Sequence, residues 1–227
     1  VYQKIHNFCV TELGGFYLDV IKDRQYTTQA DSRARRSTQT AMLQVVEMLS
    51  RMIAPILSFT ADEIWQHIPG DRVDSVFLSD FREGHSTLKE SGEFDDAFWR
   101  RILEVKTAVN RELEVQRADK KVGSGLSAEV DLFCDGQLAD DLARLGEELR
   151  FVLIVSRASV NSGTPAPKQA IATEVSGLSL RVTASEHKKC ERCWHHREDV
   201  GQEAAHAGLC MRCVSNVAGD GELRRFA

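Results

Sequence analysis

Positive charge is not in excess: 29 Lys and Arg face 34 Asp and Glu over 227 residues, a formal net charge of −5. A polybasic nucleic-acid tail is thereby excluded. No stretch reaches the roughly 18 consecutive apolar residues of a membrane span, and the start lacks a basic segment followed by an apolar one, so neither an anchor nor a secretion signal is expected. Collagen and coiled-coil repeats are missing. So are G-x-S-x-G, the P-loop, H-E-x-x-H and G-x-G-x-x-G, which leaves no nucleophile, phosphate-cradling or zinc-protease constellation and makes catalysis inside this chain improbable. Asp95 and Asp96 read as helix-start residues. What is present is 42% apolar and 28% charged residues, the balance of an ordinary soluble globular protein with a packed core; with neither anchor nor secretion signal, a cytoplasmic setting is expected. The first residue is Val1, with an amphipathic pattern already running, as in the end of a longer chain.

Helical periodicity dominates the first half. Tyr2, Ile5, Cys9, Leu13, Phe16 and Val20 recur at spacings of three and four, with Gly14 and Gly15 mid-pattern, where they are expected to admit a neighbouring helix. A polar segment from Thr27 to Ser37 precedes a second helix through Met42, Val45, Val46, Leu49, Met52, Ile53 and Ile56, which Pro55 should end. A third is signalled by the capping box Thr60 to Glu63 and the staple Phe59 with Ile64, and stops at Pro69 and Gly70. The acidic segment from Asp71 to Glu93 reads as a surface connection. A fourth helix starts at Asp95 and carries Phe98, Ile102, Val105, Val109 and Leu113 on one face.

After Gly125 the period changes to two: Ala128, Val130 and Leu132 predict a half-buried strand. Leu138, Leu142, Leu145 and Leu149 return to helical spacing. The apolar run Phe151 to Val155 and the segment Leu178 to Val182 are expected as strands. The fold expectation is therefore mainly α: a helical bundle over 1–122, a small α+β unit over 123–185 and a cysteine-rich module over 186–227.

That module carries the strongest chemical signal. Cys190 and Cys193 form one C-x2-C pair and Cys210 and Cys213 another, with sixteen residues between the pairs. Two such turns supply four thiolates to one tetrahedral ion, and a site filled by four sulfurs has no open position, so one structural Zn(II) is expected. About forty residues with few large side chains would draw most of their folding energy from the metal. Disulfides do not suit a cytoplasmic setting. His195, His196 and His206 are read as surface or supporting groups, and Cys9 and Cys134 as buried thiols.

Two basic clusters stand out on the acidic chain. Lys188, Lys189, Arg192, Trp194, Arg197 and Arg212 could meet phosphates and stack on unpaired bases, although seven Lys and Arg balance seven Asp and Glu from Glu186 onward. Lys22, Arg24, Arg33, Arg35 and Arg36 form the second, at the end of the first helix and in the polar segment after it. Arg224 and Arg225 are read as a further phosphate contact, and Trp65 as a core residue.

The segments FYLDVIKDRQY at 16–26 and APILSFTADEIW at 54–65 resemble the anticodon-binding helical domain of class I aminoacyl-tRNA synthetases. KCERCWHHREDVG at 189–201 and CMRCVSNVAGDGELRRFA at 210–227 resemble the C-terminal zinc module of the bacterial isoleucine-specific branch, and KKVGSGLSAEV with LRFVLIVS resembles its connecting region. The H-I-G-H and K-M-S-K-S signatures of that family's ATP chemistry are absent. The resemblance implies a C-terminal segment that grips the anticodon stem and loop of isoleucine tRNA, in a monomer whose catalytic and editing domains lie upstream, and that does not aminoacylate alone. Two other readings remain. A formamidopyrimidine-type DNA glycosylase also ends in a four-cysteine finger but begins Pro-Glu rather than Val1-Tyr2, and a free-standing interaction module would bind RNA weakly.

Overall fold

The computed structural model describes residues 1–81 and 93–226; the middle of the expected acidic connection lies outside the described residues. Residues 1–29 with those from 93 onward form one compact unit, and residues 30–81 form another. Among the described residues no helix is long and apolar enough to cross a membrane.

The larger unit opens with α1 (Tyr2–Asn7), a π-helical stretch (Phe8–Tyr17) and α2 (Leu18–Thr27). The expected helix exists, but its glycines act within it. A Cβ on Gly14 would stand 2.9 Å from the Cys9 carbonyl oxygen, and one on Gly15 would stand 3.2 Å from that of Val10. In a wide-turned helix the carbonyl five residues back crowds this position, so the glycines permit the π geometry rather than a helix contact. No residue of the stretch is buried, and Cys9 is half-buried rather than a core thiol.

Helix α5 (Asp96–Ala118) begins where Asp95 accepts a hydrogen bond from the Phe98 amide at 2.7 Å. Its face of Phe98, Ile102, Val105, Val109 and Leu113 is buried against β1 (Ala128–Phe133), α6 (Gly136–Leu145), α7 (Glu148–Leu153) and β4 (Ser179–Ala184). One hydrophobic core thus runs across residue 122, joining the last helix of the expected bundle to the sheet. The four-stranded sheet has order β2-β1-β4-β3, with β2 at Arg157–Asn161 and β3 at Ile171–Ala172. β1 and β2 pair in parallel, which requires the crossover that α6 and α7 provide. β1 is almost wholly buried, not half-buried; its polar Asp131 is held by Arg157 at 3.3 Å and Arg181 at 2.7 Å.

The run Phe151 to Val155 is not a strand: Phe151 to Leu153 close α7, and Ile154 and Val155 form the turn after it. An unbroken apolar run carries no period of its own, and Leu149 and Leu153 continue the four-residue spacing into the core. Ile154, in the left-handed region at φ 58°, ends the helix.

The unit of residues 30–81 contains α3 (Arg33–Ile53) and α4 (Ser58–His67). Pro55 lies in the break between them. The chain there still closes a turn, with the Leu57 amide donating to the Ile53 carbonyl at 2.7 Å, so α4 starts directly at Ser58. Thr60 and Glu63 therefore fall inside the helix, and the capping box and staple do not form: Phe59 is 93% exposed. Trp65 is buried, as expected, and its indole N–H donates to the Val73 carbonyl at 2.9 Å. The Arg51 and Arg72 guanidiniums lie over its ring at 4.6 and 4.9 Å.

Candidate zinc centre and nucleic-acid interface

The C-terminal module has a two-stranded ribbon, β5 (Lys188–Lys189) with β6 (His196–Arg197), and one helix, α8 (Met211–Ala218). Cys190 and Cys193 sit in the ribbon's turn, where the Trp194 amide donates to the Cys190 carbonyl and the Cys190 amide to the His195 carbonyl, both at 2.9 Å. Cys210 caps α8 and Cys213 lies in its first turn. All four sulfurs are buried and lie within 4.8 Å of one another. Cys193 and Cys210 are 3.8 Å apart, the separation of about 3.8 Å that two ligands of a tetrahedral site with 2.3 Å Zn–S bonds require. The Cys210 amide points at the Cys190 sulfur at 3.4 Å.

Four buried thiols this close bring like charges together when they ionise, and a divalent ion held between them stabilises all the thiolates at once.

Trp194 follows the second cysteine at φ 65°, a left-handed conformation that suits glycine, with its indole 59% exposed. Lys189 lies over the ring at 5.2 Å. Beneath it is an open, largely apolar cleft of 640 Å³ between α2 and the knuckle, lined among others by Lys22, Tyr26, Phe151, Ile154 and His195. Tyr26 is exposed; it was legible only as part of the quoted FYLDVIKDRQY segment.

The basic residues divide by role. Lys22, Lys188 and Lys189 are exposed; Lys22 pairs with Asp19 at 2.6 Å. Arg33, Arg35 and Arg36 occupy the first turn of α3 in the other compact unit, not a polar linker, because Ser32 caps the helix by accepting from the Arg35 amide at 3.2 Å. Cations there oppose the helix dipole, which makes the turn more electropositive than its own side chains. Arg24, by contrast, pairs with Glu148 at 3.2 Å. Arg192 donates to the Tyr26 and Thr27 carbonyls, closing the C-terminal end of α2.

Arg212 is only 13% exposed and reaches Asp23 at 2.7 Å and Glu222 at 3.1 Å. Arg224 is more deeply held: its side chain is 3% exposed, pairs with Asp23, with Glu148 at 2.9 Å and with Glu222 at 3.1 Å, and lies 3.7 Å over Phe151. It is a buried clamp between the tail, α2 and α7, not a phosphate contact. Arg225 donates to the Arg144 carbonyl at 3.3 Å. Burial raises the Asp23 carboxyl, but Arg212 and then Arg224 bring it below its ordinary range. Sequence reasoning missed this network because its members lie up to 201 residues apart.

Fold and cluster together define a mainly helical protein with a small α+β part and a zinc-stabilised C-terminal module. Residues 1–132 match the family described as the anticodon-binding domain of tRNA ligase, and residues 188–216 match the zinc finger found in FPG and IleRS. The chain belongs to the tRNA-ligase anticodon-binding family, and its zinc is structural. All 227 residues are 59% identical to isoleucine–tRNA ligase of Pseudomonas putida strain W619, and 57% identical to that of Azotobacter vinelandii. The chain spans 24% of the length of these relatives. The glycosylase shares only the finger, and the match over residues 1–132 sets that reading aside.

Proposed function

We propose that this chain is the tRNA-recognition segment of an isoleucine–tRNA ligase, which grips the anticodon stem and loop while the rest of the ligase, with its catalytic and editing domains, attaches isoleucine to the tRNA using ATP. The observation that carries the reading is Trp194: an aromatic face held out to solvent from a zinc knuckle, in a backbone conformation costly for any residue but glycine, above a cleft wide enough for an unstacked base. Cys190, Cys193, Cys210 and Cys213 ligate the zinc and fix the knuckle. Lys22, Lys188, Lys189, Arg33, Arg35 and Arg36 meet phosphates, which set register without reading sequence. Arg24, Arg192 and Arg212 act one step back, positioning α2 and the knuckle through the contacts described above.

Along the sequence the anticodon-binding part covers 1–122, the connecting part 123–185 and the zinc module 186–227, with the first two sharing the core that crosses residue 122, in a cytoplasmic monomer. Grip at the anticodon contributes to the distant reaction by orientation. Nuclease protection tests the reading: zinc-loaded protein should shield the anticodon loop of isoleucine tRNA, and Trp194→Ala should lose that shield first. Protection confined to another part of the tRNA, or unchanged in the variant, would refute it.

A further inference from the structure

A second cavity, of about 220 Å³, lies on the seam where α7 and β2 meet the zinc ribbon, and it shares no lining residue with the cleft beneath Trp194. Arg150, Arg157 and Arg197 line it together with Ser156, His187 and His196, and so do the carboxylates Glu129, Glu147 and Glu198. Its floor is built: the Ser156 hydroxyl accepts from the His196 amide at 2.7 Å and donates to the Leu126 carbonyl, which ties the ribbon to the sheet.

The cations are not equally neutralised. Arg157 is matched by Glu129 at 2.7 Å and Asp131 at 3.3 Å. Arg197 has Asp199 only at 3.9 Å. Arg150 is weakly matched: its side chain is 7% exposed, and its ion-pair partner is Glu147, at 3.2 Å through Nε, which is itself 83% exposed. Nη1 of Arg150 is buried and has no hydrogen-bond partner among the described residues. A buried guanidinium with one solvated partner and an unpaired nitrogen is costly, and an anion that reaches the group stabilises it. Burial first, and then the neighbouring Arg212 and Arg197 charges, bring Arg150 down to about 10, so it remains cationic at neutral pH.

We propose that this seam cavity is an oxyanion site that takes a phosphate group, held by Arg150 and Arg197 and flanked by the Ser156 and His196 side chains. Nothing in the proposal requires the tRNA reading: a free phosphate and an RNA phosphodiester present the same oxygens. The fork of a guanidinium matches two of them. Glu147, at the rim, competes with the ligand for Arg150.

The test is isothermal titration of the zinc-loaded protein with inorganic phosphate at fixed ionic strength, sodium chloride serving as the control anion. Saturable phosphate binding is expected, weakened about fivefold or more in Arg197→Gln and tightened about threefold in Glu147→Gln, the changes that one partly exposed charge makes. Arg197→Gln avoids the buried core, so it remains informative if Arg150→Gln fails to fold. The source is then read from tRNA affinity in the same variants. A loss in Arg197→Gln with a salt slope lower by about one identifies an RNA phosphate, and unchanged tRNA affinity beside lost phosphate binding identifies a free anion. No saturable phosphate binding by the wild type, or binding equal to it in both Arg197→Gln and Glu147→Gln, overturns the proposal.

Discussion

Replacing Arg224 with methionine separates a buried clamp from a phosphate contact. The guanidinium is 3% exposed and serves Asp23, Glu148 and Glu222 at once, with its face against Phe151. Removing the sole partner of a buried charge costs about 3–5 kcal/mol. Here Asp23 keeps Arg212 at 2.7 Å and Glu148 keeps Arg24 at 3.2 Å, while methionine retains part of the packing. The expected loss is therefore smaller, about 2–3 kcal/mol. Urea unfolding followed by zinc release reads the unit that carries the clamp, without assuming that both compact units unfold together. A phosphate contact would behave otherwise: stability unchanged within about 0.5 kcal/mol, and a tRNA salt slope lowered by about one. That second pattern would refute the clamp.

The remaining predictions concern the lysine core, the knuckle and the metal. Burial pushes Lys106, whose ammonium donates to the Val152 carbonyl at 2.9 Å, down to about 8, with Asp19 opposing. For a base depressed on folding, the unfolded chain binds more protons between pH 8 and 10.5, so stability rises with pH across that window; Lys106→Met should abolish about 1–2 kcal/mol of that rise in urea titrations, and parallel curves for the two proteins would count against it. Trp194→Gly should relieve the left-handed strain and stabilise the module by about 1 kcal/mol, yet weaken tRNA binding about tenfold or more through lost stacking; equal affinity would deny the indole a role. Cys190 and Cys193 both changed to serine in a full-length ligase should cost zinc and tRNA charging but leave amino-acid activation near normal, as pyrophosphate exchange would report, and equal loss of both activities would contradict the division.

Periodicity made the helices legible where one face is buried: the stripe from Phe98 to Leu113 in α5 is the core stripe of the structure. It failed at Phe151 to Val155, where an all-apolar run has no contrast between faces, and only the spacing of Leu149 and Leu153 favours a helix. Local cap chemistry misled at Thr60, because the turn closed by Leu57 on Ile53 had already started the helix. The zinc cluster was legible because its ligand spacing is local within each pair. The roles of Arg212 and Arg224 were not: an arginine written beside polar neighbours looks solvated until Asp23 and Glu148, remote in sequence, are brought to it. Charge alone thus nominated both the lysines that remain exposed and the arginines that hold the module in place.

Base readout at the anticodon is tested by titrating the zinc-loaded 227-residue chain against isoleucine tRNA and against the same tRNA with its anticodon replaced, at one near-physiological salt concentration. Tighter binding to the native anticodon is expected, with the difference collapsing in Trp194→Ala. Equal affinity for both tRNAs would contradict it, leaving phosphate grip as the segment's whole contribution.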